Sequence, residues 1–173
     1  MKIEVYLDKK MFRRFSYFDT FRRRKAWRAP VTFASIMSAF ALVCLYFNHL
    51  EGAIMLGCVL LIVGWGMPLT YILSFHLSVN KQAAASELNR AKLVYTLEMN
   101  PKSKMFSVDN GREHVDIKWG DVYRIYRDTV AAYLYVTPQK AFILPYSCME
   151  NPTDVFWPLV KEKLPADKIT DLR

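Results

Sequence analysis

Side chains able to do chemistry are few in this 173-residue chain, and they are scattered. His49, His76 and His114 stand far apart, and none shares with a cysteine the short spacing that closes a metal site. Cys44, Cys58 and Cys148 show neither metal spacing nor the pattern of a disulfide scaffold. Ser147-Cys148 pairs two nucleophile types with no identifiable base, and reads as an ordinary loop. A glycine-rich phosphate loop, a nucleophile elbow and a zinc-hydrolase helix are all missing from the sequence. The acids of residues 81–173 are interspersed with Lys and Arg, as on solvent faces of strands. The chain therefore reads as non-enzymatic, with no catalytic residue, cofactor or metal assigned.

Positive charge is what the sequence concentrates. Residues 1–28 carry ten Lys/Arg against three acids, whereas residues 81–173 carry fourteen against twelve. Most of the net +8 thus falls in one short stretch. Arg22, Arg23, Arg24, Lys25 and Arg28 surround Trp27 there, a combination suited to anionic headgroups at a membrane surface. The bland alternative is that these cations only set topology. Nucleic acid is not an expected partner, because the β-rich part is nearly balanced in charge.

The elements that must position these residues are read from hydropathy. Ala29 to Leu50 and Gly52 to Asn80 are uncharged stretches of 22 and 29 residues, separated only by Glu51. Each exceeds the roughly 20 apolar residues that cross a bilayer as a helix. They predict a transmembrane hairpin with spans at about 30–50 and 53–76, turning around Asn48, His49 and Glu51. The first span starts too late and runs too long for a cleavable signal peptide. Lys and Arg flank both outer ends and the turn has neither, so both termini are expected in the cytoplasm of a two-span cell-membrane protein. Ala53 and Gly57 offer close helix packing, while Gly64, Gly66 and Pro68 predict a packing kink.

Outside the spans, Lys2–Leu7 alternates as a strand and Asp8 is placed to cap a helix. Met11, Phe12, Phe15, Phe18 and Phe21 share one face of that helix, which lies either at the headgroups or on the soluble domain. Lys81–Lys92 is expected to extend the second span. About six short strands follow, ending with a helix whose cap is Asn151 and whose buried face is Phe156, Trp157, Val160 and Leu164. The segments divide as 1–28, 29–79 and 80–173. The fold class is α+β: a two-helix membrane hairpin plus a small antiparallel β domain with a C-terminal helix.

Ile117-Lys118-Trp119-Gly120-Asp121-Val122, followed by Tyr133-Leu134-Tyr135-Val136 and Ala141-Phe142-Ile143-Leu144-Pro145, resembles the bacterial YcxB-like family. The order of elements along most of the chain resembles it too. Tyr146 stands where the family commonly has a basic residue, and Pro158 interrupts the expected helix. The resemblance implies a pleckstrin-homology-like β domain and brings no catalytic site with it. Trp119 is expected in the core, and Asp121 as a turn-forming acceptor of backbone N–H groups.

The expected function is a membrane-anchored adaptor or binding module at the inner leaflet. Its partners would be anionic lipids and an unidentified membrane protein, with self-association open to it. Two alternatives stand beside it: immunity to a bacteriocin or toxin, and an accessory subunit of a transporter or channel.

Overall fold

The computed structural model describes residues 1–47, 49–88 and 90–172. Asn48, expected in the hairpin turn, and Asn89, expected in the helical extension, lie outside the described residues. The chain forms two compact units, one made of Met1–Phe15 with Glu87–Arg173 and the other of Ser16–Ser86. This corrects the three-part division read from sequence, because the N-terminal strand belongs to the β unit.

In the first unit, β1 (Lys2–Leu7) leads into α1 (Lys9–Tyr17), whose last two residues belong to the second unit. Asp8 caps α1 by accepting a hydrogen bond from the Met11 N–H at 2.7 Å. After the hairpin, β1 pairs antiparallel with β2 (Lys92–Met99), putting Ile3 opposite Leu97 and Val5 opposite Tyr95. β3 (Met105–Asp109) and β4 (His114–Lys118) complete a sheet of order β1-β2-β3-β4. Their turn works as the sequence suggests. Gly111 takes φ 77, a conformation costly for residues with a Cβ, and Asn110 Oδ1 accepts the Arg112 and Glu113 N–H groups.

The second sheet contains β5 (Arg124–Arg127), β6 (Ala131–Tyr135), β7 (Ala141–Pro145) and β8 (Ile169–Asp171), in the order β7-β6-β5-β8. β8 pairs parallel with β5, so this sheet is mixed. Three residues with one β-branched pair give too short a periodic signal to announce β8 in the sequence. All of β6 is buried, and Tyr133, Tyr135, Leu97, Phe106 and Val122 are among the core side chains. α4 (Trp157–Lys163) begins one residue before Pro158, where a missing N–H costs nothing. It buries Trp157, Leu159 and Val160. The preceding π-helical turn, Pro152–Phe156, has no side-chain cap from Asn151, correcting that expectation.

The second unit holds a π-helical turn (Phe18–Arg23), α2 (Arg28–Tyr46) and α3 (Ala53–Ala85). By length and composition, α2 and α3 can each cross a membrane. The helix expected to continue to Lys92 ends at Ala85, and Glu87 adopts a left-handed φ of 56. The alanines of residues 83–85 form the last turn of α3, in keeping with their propensity, and the chain leaves the helix at Ser86.

Candidate functional site

The basic stretch folds into a turn rather than a continuous helix. Lys25 has φ 52, a left-handed backbone that reverses the chain between the π-helical turn and α2. The Arg24 N–H bonds to the Asp19 carbonyl, and the Arg28 N–H to the Lys25 carbonyl. This geometry sorts the five cations expected to meet lipid. Arg23 Nε lies 2.6 Å from the Asp19 carboxylate and its side chain is only 13% exposed, while Arg24 Nε reaches the same carboxylate at 2.8 Å. One Asp19 carboxylate is thus shared by two guanidiniums: Arg23 is mostly buried against it, and Arg24 keeps a half-exposed side chain. Arg22, Lys25 and Arg28 are exposed and, with Phe21 and Trp27, line a shallow depression of about 520 Å³.

Cations at a helix N-terminus oppose its dipole, yet Arg28 opens α2. The first turn of α2 contains no acid and its N-cap, Trp27, makes no side-chain cap. A headgroup phosphate placed there would meet three cationic side chains and the positive end of the helix.

The hairpin seam is built from small residues, with a different spacing from the one expected. An added Cβ on Gly64 would lie 2.6 Å from Met37 Cβ, and one on Gly57 would lie 3.3 Å from the Ala41 carbonyl oxygen. Ala34 and Ala41 on α2 are buried, so the close approach recurs every seven residues. Ala53, the expected partner of Gly57, is half-buried, and Gly66 has open space where its Cβ would be. Gly66 therefore has no packing role. α3 runs unbroken through Pro68, with Thr70 Oγ1 donating to the Met67 carbonyl at 2.9 Å.

In the β unit, Trp119 is buried and its ring centre lies 4.9 Å from that of Phe106. It sits in a 3₁₀ turn just after β4. Asp121, expected to accept backbone N–H groups in a turn, is exposed, and no side-chain hydrogen bond to it is found among the described residues. Gly111, Arg112 and Glu113 draw their acceptors from Asp109 and Asn110 instead. The histidines separate: His76 Nδ1 is 2.8 Å from the Tyr17 hydroxyl, while His114 lies 3.5 Å from Asp116.

A polar group with several partners escaped the sequence reading. Asp128 is buried and accepts hydrogen bonds from Arg14 Nε (2.9 Å), Arg14 Nη2 (3.2 Å), the Thr129 N–H (2.7 Å) and the Tyr133 hydroxyl (3.1 Å). Burial pushes the carboxyl up, but the Arg14 hydrogen bond, the Thr129 N–H and the Arg14 charge outweigh it. The pKa lies below the usual carboxylate value. Burial and the neighbouring Asp128 charge raise the Tyr133 phenol. Phe15, the next residue along α1, packs 5.3 Å from the Tyr133 ring. Of the two placements open to the Phe face, Phe15 therefore takes the β unit. Arg14 and Asp128 are 114 residues apart, and nothing local distinguishes Arg14 from the adjacent Arg13, so the sequence carries no signal for the pair.

The family described as YcxB-like protein matches residues 104–155, from the start of β3 to the π-helical turn before α4. That segment includes Trp119, Asp128 and Tyr133, and covers less than a third of the chain. No curated protein and no solved structure matches this sequence.

Proposed function

We propose that this chain is a membrane-anchored binding module, in which α2 and α3 cross the cell membrane and the basic depression engages anionic headgroups on the cytoplasmic side. The β unit, read as pleckstrin-homology-like, is then tethered at the inner leaflet through residues 15–16 and 86–87. The observation that carries the reading is the grouping of Arg22, Lys25 and Arg28 with Trp27 at the foot of an apolar helix. Leu42, Met55 and Ile62 are 66%, 72% and 72% exposed, which supports a lipid environment for the hairpin. α3 has 33 residues and a length of about 50 Å, enough to span the hydrocarbon and extend past it.

The test is electron paramagnetic resonance of spin-labelled phosphatidylglycerol around the full chain in phosphatidylcholine vesicles. Each cation near an anionic surface contributes about 1 kcal/mol. Replacing Arg22, Lys25 and Arg28 with Gln should lower the preference for the anionic lipid on the order of tenfold to a hundredfold at low salt. Arg23→Gln should change it far less. Orientation is checked with a protease-cleavable C-terminal tag. Equal effects from Arg23 and Arg28, or an unchanged preference in the triple variant, would refute the site. The self-protection and transporter-subunit readings rest on the hairpin faces and would survive that failure.

A further inference from the structure

A sheet edge in water must be covered or it recruits another strand. Here the edges nearest one another are treated unequally. The outward groups of Ile143, at the centre of β7, are both taken by one phenol: the Tyr95 hydroxyl donates to the Ile143 carbonyl and accepts from its N–H, each at 2.7 Å. Pro145 ends that strand with no N–H to offer. On β1, the Tyr6 N–H meets Cys148 Sγ at 3.4 Å. The Met99 N–H bonds to the Met1 carbonyl, so the odd residues of β1 face β2 and the even ones face away. Among the described residues, the N–H and C=O groups of Lys2 and Glu4 have no hydrogen-bond partner. They open onto a groove of about 910 Å³, whose far wall includes Pro145, Met149, Glu150 and Val155.

We propose that this groove binds an extended, basic segment of a partner polypeptide, which joins the first sheet as a strand beside β1. Backbone pairing to Lys2 and Glu4 supplies the donors and acceptors, as in strand-addition complexes generally. Charge selects the side chains. Lys2 is directed to Glu98 on β2 at 3.7 Å and the Met1 ammonium donates to the Met99 carbonyl at 2.7 Å. Glu4, whose carboxylate accepts from the Tyr6 hydroxyl at 3.3 Å, Asp8 and Glu150 therefore give the groove its acidic lining. The strand's alternate residues meet the apolar wall of Met149 and Val155. This names a partner class for the binding-module reading but uses none of the collar residues, so either can fail alone.

The probe is a fluorescein-labelled, acetylated hexapeptide alternating Lys and Val, added to the full chain in maltoside micelles. Saturable anisotropy is expected, with amide exchange at Lys2 and Glu4 slowed by about tenfold or more at saturation. Glu4→Gln with Glu150→Gln should weaken binding about fivefold to tenfold. A peptide N-methylated at alternate residues, on the edge facing β1, should not bind; this control leaves the protein's fold untouched. Equal binding of the N-methylated peptide or of a Glu-Val counterpart would overturn the proposal. So would protection of Lys2 and Glu4 that rises with protein concentration in the absence of peptide, since a second copy would then occupy the edge.

Discussion

Replacing Arg14 with Met tests whether the Arg14–Asp128 contact holds α1 to the β unit. The substitution keeps an apolar stem and removes three hydrogen bonds, two to Asp128 and one to Thr129 Oγ1 at 2.7 Å. A charged hydrogen bond contributes about 1.5–3 kcal/mol net, but the Arg14 side chain is 45% exposed and water screens it. The expected loss is therefore about 1–2 kcal/mol. In a unit of about 100 residues this lowers the melting temperature by roughly 5–15 °C. Asp128→Ala should cost more, about 2–3 kcal/mol, since it also removes the acceptor of the buried Tyr133 hydroxyl. The double variant should fall short of additivity by about 1 kcal/mol.

Acid adds a second readout of the same contact. A carboxyl held low in the folded state contributes stability that is present above its unfolded pKa and disappears as pH falls through the lowered value. Without Arg14, burial of Asp128 is opposed only by Thr129 and Tyr133, so acid unfolding should begin at higher pH. Near-ultraviolet circular dichroism of the full chain in uncharged detergent follows both effects. An Arg14→Met protein with parental melting at neutral pH and an unmoved acid transition would refute the argument.

Other substitutions separate contacts that look alike in sequence. Gly64→Ala should destabilise the hairpin by about 1–3 kcal/mol, because its Cβ would collide with Met37, whereas Gly66→Ala should be neutral or mildly stabilising. Thermal aggregation in detergent ranks the two, and equal behaviour would contradict the seam. Tyr95→Phe strips the cover from the Ile143 edge and should cost about 2–4 kcal/mol, read by denaturant unfolding. Lys168→Met removes an ammonium that donates to the Gly120 and Val122 carbonyls at 3.0 and 2.7 Å. Faster amide exchange across β8, with a loss of about 1–2 kcal/mol, is expected.

The hairpin was legible because its signal is local: two long uncharged runs report themselves residue by residue. The Asp8 cap, the Asp109-Asn110-Gly111 turn and the burial of Trp119 were legible for the same reason, since each depends on a few neighbours or on period-two alternation. Among the collar cations, sequence could count charges but not assign them. Asp19 lies within five residues of both Arg23 and Arg24, yet only the π-helical turn brings both onto it. Gly64 and Gly66 are equivalent in composition, and the helix phase alone turns one toward α2 and the other toward open space.

Contacts across long separations were decided by tertiary structure. Asp128 becomes a buried anchor only when β1 joins β2 and brings α1, with Arg14, onto the β unit. Ile143 finds Tyr95 across 48 residues, and β1 becomes a sheet edge only by pairing with β2, some ninety residues away. Apolar periodicity is a property of one segment, whereas hydrogen-bond partnership is a property of two. The chain's sequence determined which segments fold and which face each buries; packing decided which polar groups were left available to a partner.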